Sequence, residues 1–416
     1  MNLKVQKSKA ESQKSKVEIT GSKSETNRLL LLQALYSNIS LENTSNSDDS
    51  EVMADALQKS KIKNQKSLII DVHHAGTAMR FLTAFFAIQE DKEVILTGSS
   101  RMKERPIKIL VEALQQLGAE ITYEENEGFP PIKIKGKKLR QSKVSLPANV
   151  SSQYISALLL IAPKLENGLE LILEGEITSI PYIKMTLALL NEIGVETSFV
   201  KNVIKINQKS EIVNHQSTIE SDWSSASYWY SIVALSEIGT QITLSSYKKE
   251  SLQGDSALVE IYKSFGVETV FNSNNSITIS KNSNLKLETL NFELNNCPDI
   301  AQTIAVTSFG LGIGCHLTGL HTLKIKETDR LEALKTEISK LGANISVTTD
   351  SLTIQQSNNL NSNIAIATYQ DHRMAMAFAP LALKTPLIIQ DAEVVSKSYP
   401  AFWEDLQNIG FLIEKE

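Results

Sequence analysis

The sequence predicts an α/β protein assembled from six copies of one supersecondary motif, and two observations carry that reading. Six times a small or polar residue opens an apolar run of helical length, and successive openings lie 53, 74, 73, 75 and 72 residues apart. Helices that are apolar on nearly all sides must be buried. Each is followed by a second, amphipathic helix, and five of these end alike. Gly stands just past the last apolar turn, and the residues after it alternate like a strand. A period of about 70 residues is longer than that of ordinary solenoids.

In chain order the openings are Ser24 (before 29–35), Thr77 (before 81–88), Ser151 (before 155–162), Ser224 (before 228–235), Asp299 (before 304–309) and Asp371 (before 374–383). The five terminating glycines are Gly118, Gly194, Gly266, Gly342 and Gly410. The first copy, with 49–58 as its outer helix, lacks that Gly. Ser22 and Glu25 fit a capping box that sets Lys23 and Ser24 on the first helical turn, with Arg28 one turn on. A helix N-terminus carries free N–H groups and the positive end of the dipole, so several facing one cleft would make a polyanion site.

The bulk properties fit a soluble enzyme. A length of 416 residues predicts two domains or more. Net charge is −5, so any anion site must be local, and no broad basic face for nucleic acid is implied. Cys297 and Cys315 give neither a disulfide framework nor metal-ligand spacing, which suits the cytosol. No apolar run is long enough to cross a bilayer, and residues 1–16 lack the apolar stretch of a secretory signal.

Only seven of the 42 basic residues are Arg: Arg28, Arg80, Arg101, Arg105, Arg140, Arg330 and Arg373. A chain so biased toward Lys keeps Arg where a planar, bidentate fork for carboxylate or phosphate is required. Six of the seven lie at helix openings or in a charged loop, a pattern for holding several anionic groups at once.

Four strings carry most of the chemical signal. They are Gly21-Ser22-Lys23-Ser24-Glu25-Thr26-Asn27-Arg28, Ala75-Gly76-Thr77-Ala78-Met79-Arg80, Arg101-Met102-Lys103-Glu104-Arg105-Pro106 and Lys326-Glu327-Thr328-Asp329-Arg330. Ser151-Ser152-Gln153, Pro298-Asp299 and Asp371-His372-Arg373-Met374-Ala375-Met376 support them. In this order, from about residue 21 to 400, the chain closely resembles the 5-enolpyruvylshikimate-3-phosphate synthases of the enolpyruvyl transferase family. The resemblance implies a two-domain, inside-out α/β barrel of six βαβαββ units whose buried helices point their N-termini into the interdomain cleft. One domain would be 21–219 and the other 1–20 plus 220–416, closing over the substrates. It implies transfer of the enolpyruvyl group of phosphoenolpyruvate to the 5-hydroxyl of shikimate 3-phosphate, with no metal or organic cofactor. The expected partners are those two small molecules, with no nucleic acid and no membrane, and a cytoplasmic monomer is expected.

The resemblance also assigns residues. Asp299 is the candidate base at the 5-hydroxyl, although a lone Asp at a helix start caps it by default. Glu327 is the candidate acid and base at the methylene carbon. It stands i,i+3 from Arg330 and is expected on the same helix face. Lys23 would touch both substrates and stabilise developing charge. Shikimate 3-phosphate would be held by Lys23, Ser24, Arg28, Ser151, Ser152, Gln153, Ser179, Tyr182, Asp299, Thr322 and Lys326. Phosphoenolpyruvate would be held by Lys23, Gly76, Arg101, Gln153, Arg330, His372, Arg373 and Lys397. Arg80 and Arg105 would support, and Arg140 is read as plain surface.

Three positions depart from the family pattern: His74 and Thr322 where Asn is usual, and Phe81 where Pro is usual. His74 and Phe81 bear on pocket shape and inhibitor sensitivity. Thr322 replaces an amide at the substrate phosphate with a hydroxyl, which can still donate. The sister enzyme that uses UDP-N-acetylglucosamine typically has a Cys in the 101–106 loop and Lys-Asn at 23–24, and neither is here. A catalytically inactive ligand-binding homologue would be expected to lack Asp299, Glu327 or Lys23, and all three are present.

Overall fold

A computed structural model describes residues 1–7, 14–62, 67–149, 151–283 and 288–416. Its contacts divide the chain into two compact bodies, Met1–Gly21 with Glu220–Glu416, and Ser22–Ile219. No helix among the described residues is long and apolar enough to cross a membrane.

The second repeat shows how the motif is built. Strands Ser67–Asp71 and Glu93–Thr97 run parallel because the helix Gly76–Ala87 crosses between them, and Glu120–Tyr123 and Ile132–Lys135 close an antiparallel hairpin. The sheet order is first, second, fourth, third strand. Leu68, Ile70, Val94, Leu96, Ile132 and Ile134 are buried, the alternation that puts one sheet face inside. The third repeat (143–206) and the fifth (290–354) have the same strand order.

The other three repeats borrow strands from far along the chain. Lys14–Val17 pairs in parallel with Gln241–Leu244 and supplies the first strand of the fourth repeat. Leu3–Lys7 lies antiparallel between Leu387–Ile389 and Phe411–Lys415 and completes the sixth. Among the described residues Ile39–Glu42 pairs only with His215–Thr218, so the first repeat has a two-stranded sheet there. Among the described residues the six copies thus give five four-stranded sheets and one reduced one. The reduced copy is the one without the terminal Gly.

Gly118, Gly194, Gly266, Gly342 and Gly410 all have φ between +74° and +106°, the left-handed turn that ends each outer helix. The outer segment of the fourth repeat is not one α-helix but a 3₁₀–α–3₁₀ run over 254–265. Two buried helices also stop earlier than their apolar runs. Ser152–Ile161 and His372–Phe378 each pass into a 3₁₀ turn carrying Pro163 or Pro380, which lacks the N–H that the α ladder needs.

In each body the three buried helices pack on one another: Lys23–Leu35, Gly76–Ala87 and Ser152–Ile161 in one, and Trp223–Leu235, Ala301–Gly310 and His372–Phe378 in the other. The second core is rich in rings, with Tyr228, Trp229, Tyr230, Tyr262, Phe265 and Phe378 all buried.

Candidate active site

In the 22–219 body, side chains knit together the first turns of the three buried helices. Ser22 caps the helix Lys23–Leu35, its hydroxyl accepting from the Glu25 N–H at 3.5 Å. Ser151 caps Ser152–Ile161, accepting from the Gln153 N–H at 3.3 Å. The Gln153 amide then donates to Thr77 Oγ1 at 3.1 Å, on the first turn of Gly76–Ala87. That helix starts at Gly76, one residue before the predicted opening, with Ala75 as an N-cap that offers no side-chain acceptor.

Arg28 runs through this assembly. It donates to Thr186 Oγ1 (2.8 Å), the Ser24 carbonyl (2.8 Å), Ser156 Oγ (2.9 Å) and the Tyr182 carbonyl (3.4 Å). The faces of Phe81 and Tyr182 lie 5.4 and 5.9 Å from its guanidinium carbon. Burial lowers its pKa to about 10, against the opposing electrostatic pull of Tyr182 and Glu25, and all four acceptors are neutral. Phe81, one of the departures, thus stacks on an expected ligand-holding Arg.

Lys23 Nζ lies 3.3 Å from Asp49 Oδ2, and His74 Nε2 is 3.8 Å from the other oxygen of the same carboxylate. Asp49, on the outer helix Asp48–Ser60, was not singled out from sequence as a site residue. Gly76 meets the Arg105 guanidinium so closely that an added Cβ would fall 2.5 Å from Nη1. Arg80 is buried and donates to the carbonyls of Gly76 (3.3 Å) and Pro106 (2.9 Å), holding the segment after the short helix Ser100–Lys103 to the helix start. Arg101 is exposed and pairs with Glu104 at 2.8 Å. Ser179 adopts φ +54°, ψ +41°, a left-handed conformation that costs a non-Gly residue roughly 1–2 kcal/mol. Tyr182 lies on the helix that follows it. Arg140 is exposed.

In the 220–416 body the carboxylates converge on one guanidinium. Arg330, 2 % exposed, donates through Nε to Asp371 Oδ2 at 2.7 Å, through Nη1 to Asp299 Oδ1 at 2.9 Å, and through Nη2 to Glu327 Oε2 at 2.9 Å. Burial alone would lower its pKa, but Asp371, Glu327 and Asp299 outweigh it and hold the pKa above the ordinary Arg value. Arg373 donates to the Asp299 carbonyl (3.0 Å), to Asp299 Oδ2 (3.2 Å) and to Ser224 Oγ (3.3 Å). Lys326 Nζ stands 3.4 Å from Asp299 Oδ1. Three carboxylates thus face three cations. Asp371, fully buried, also caps His372–Phe378 by accepting from the Arg373 N–H at 2.8 Å.

The local settings of several of these residues differ from a simple helix start. Asp299 caps no helix; it sits in the 3₁₀ turn Pro298–Ile300 before Ala301–Gly310, and its carboxylate is spent on Arg330 and Arg373. Glu327 does not share a helix face with Arg330, because the helix Arg330–Lys340 begins at Arg330 with Asp329 as its cap, and Glu327 lies in the preceding bend. The fourth buried helix starts at Trp223 under an Asp222 cap, one residue before Ser224. The Thr322 hydroxyl, expected to face a phosphate, is covered and has no hydrogen-bond partner among the described residues. His372 is buried with Nδ1 3.9 Å from Asp371. Lys397 Nζ donates to the Gln370 carbonyl at 2.7 Å.

Sequence reasoning missed Asp371 as a member of the cluster, although it stands in a supporting string directly before His372 and Arg373. It also missed Asp255, a buried carboxyl that accepts a short hydrogen bond from the Ser224 hydroxyl. Burial, and after it the Asp299 charge, push Asp255 up to about 7. Nothing adjacent in sequence marks it. The two thiols are buried and their pKa values raised by burial, which leaves them poor nucleophiles.

The comparisons with known proteins show which family has this fold. Residues 7–406 match the family described as EPSP synthase (3-phosphoshikimate 1-carboxyvinyltransferase). The chain is 45% identical over 411 residues to a 3-phosphoshikimate 1-carboxyvinyltransferase of Bacteroides fragilis, covering 96% of each chain. It is 35% identical over 421 residues to one of Haemophilus influenzae, covering 94% of this chain and 96% of that one. A solved EPSP synthase from Acinetobacter baumannii shares the fold, with a TM-score of 0.80 at 20% identity and full coverage of both chains. On the match over 7–406 and these identities, the chain belongs to the EPSP synthase family.

Proposed function

We propose that the protein transfers the enolpyruvyl group of phosphoenolpyruvate to the 5-hydroxyl of shikimate 3-phosphate and releases phosphate. The observation that carries this is the Asp299–Glu327–Arg330–Arg373 constellation, which sets two partly exposed carboxylates beside two buried guanidiniums. The reaction asks for that combination. A base must take the proton of the attacking hydroxyl, an acid must protonate the methylene carbon, and cations must hold phosphate and carboxylate.

Asp299 takes the hydroxyl proton as the oxygen bonds to the central carbon of phosphoenolpyruvate. Glu327 delivers a proton to the methylene carbon and recovers one when the C–O bond to phosphate breaks and the double bond reforms. A guanidinium has five N–H donors. The three carboxylate bonds of Arg330 therefore leave capacity to grip the substrate anion. Lys23, Gly76, Arg101, Gln153 and Lys397 complete the phosphoenolpyruvate set, with His372 a neighbour of Arg373. Shikimate 3-phosphate is assigned to Ser24, Arg28, Ser151, Ser152, Gln153, Ser179, Tyr182 and Lys326. Thr322 would serve it only after its hydroxyl is uncovered. The bodies Ser22–Ile219 and Met1–Gly21 with Glu220–Glu416 are read as the two domains, acting as a monomer.

The test is turnover with each acceptor, shikimate 3-phosphate or UDP-N-acetylglucosamine, at fixed phosphoenolpyruvate. Turnover with the nucleotide sugar alone would overturn the assignment.

A further inference from the structure

We propose that Asp255 is a positioning residue which, through the Ser224 hydroxyl, fixes Arg373 against Asp299. The inference rests on the reading above that Arg373 and Asp299 serve the reaction. Four separate elements meet here. Asp255 lies in the 3₁₀ turn Gly254–Ala257, Ser224 on Trp223–Leu235, Arg373 on His372–Phe378 and Asp299 in Pro298–Ile300.

A hydroxyl has one proton, and Ser224 gives it to Asp255 Oδ2. Only lone pairs are then left toward Arg373, whose Nη2 donates to Ser224 Oγ at 3.3 Å while also reaching Asp299 Oδ2 at 3.2 Å. Without Asp255 the same hydroxyl proton is free to turn toward Arg373 or Asp299, and the guanidinium loses one of the acceptors that orient it. The neighbouring Gln253 anchors this segment, accepting from the Trp223 N–H at 2.9 Å and donating to the Ser221 carbonyl at 3.0 Å. Asp255 is itself 5 % exposed, so a contact with bulk solvent does not explain a carboxyl here. Buried carboxyls persist where a specific partner needs them.

The test compares D255A, D255N and S224A in steady-state kinetics with both substrates. D255A and S224A should each raise the KM for phosphoenolpyruvate about tenfold, with the KM for shikimate 3-phosphate unchanged within about twofold. D255N keeps an acceptor for Ser224 and should restore most of the loss. The double variant D255A/S224A should be no worse than either single, because both break one chain of contacts. A D255A enzyme within about twofold of wild type, equal loss for both substrates, or additive singles would overturn the proposal. If D255A does not fold, S224A and D255N decide on the same criteria. A wild type silent with both substrates would fail the reaction reading alone. The coupling of D255A with R373K in urea midpoints then decides: non-additive midpoints uphold the chain, additive ones overturn it.

Discussion

Replacing Arg330 with Ala removes a cation that faces three carboxylates, and the cost can be worked from their burial. Asp371 is fully buried and has Arg330 as its guanidinium partner at 2.7 Å. Breaking such a pair leaves an uncompensated buried charge, at about 3–5 kcal/mol. Glu327, 23 % exposed, can be rehydrated, and Asp299 keeps Arg373 and Lys326, so these two add little. With a urea slope of about 2 kcal/mol/M, the midpoint should fall by about 1.5–2.5 M. The assay is selective, because Trp223, Trp229 and Trp403 all lie in the 220–416 body, so tryptophan fluorescence reports that body alone. The loss should also shrink as pH falls from 8 to 5. A carboxyl stranded in the folded state has its pKa raised above the unfolded value, so folding takes up a proton and acid relieves the strain. R330K keeps the charge but not the fork, and should recover part of the loss. A midpoint for R330A within about 0.3 M of wild type, or a pH-independent loss, would refute the reasoning.

Three further outcomes are expected. Asp299→Asn should lower kcat by about 10²–10⁴-fold, read in steady-state turnover; a smaller loss would remove Asp299 as the base. Gly76→Ala should push the Arg105 guanidinium aside, since the new Cβ would lie 2.5 Å from Nη1. The KM for phosphoenolpyruvate should then rise about tenfold with little change in urea midpoint. Asp255→Asn should gain stability relative to wild type as pH rises from 4 to 7. Folded Asp255 keeps its proton to about 7 and the unfolded chain releases it near 3.8, so the wild type is penalised across that window and the variant is not. Parallel pH curves in urea titrations would contradict this.

Much of the fold was legible because its signals are local. Buried helices need continuous apolar runs, and each outer helix needs a left-handed residue to turn into its strand, which Gly118 and its four counterparts supply. Strand borrowing was not legible, because the pairing of Leu3–Lys7 with Phe411–Lys415 is set by the whole topology. The early stops of the third and sixth buried helices are legible in Pro163 and Pro380, which interrupt the α ladder although the apolar runs continue. For the site, strings of unusual residues located Asp299, Glu327, Arg330 and Arg373. Their geometry was hidden. Nothing in the sequence says that Arg330 binds Asp371 41 positions away, or that Asp255 reaches Ser224 across 31.

The most direct test of the account is phosphate release by the purified protein given phosphoenolpyruvate with shikimate 3-phosphate, with UDP-N-acetylglucosamine as the competing acceptor and Asp299→Ala as control. The account predicts release with shikimate 3-phosphate only, lost in the variant. Release with the nucleotide sugar instead, or undiminished release by Asp299→Ala, would contradict it.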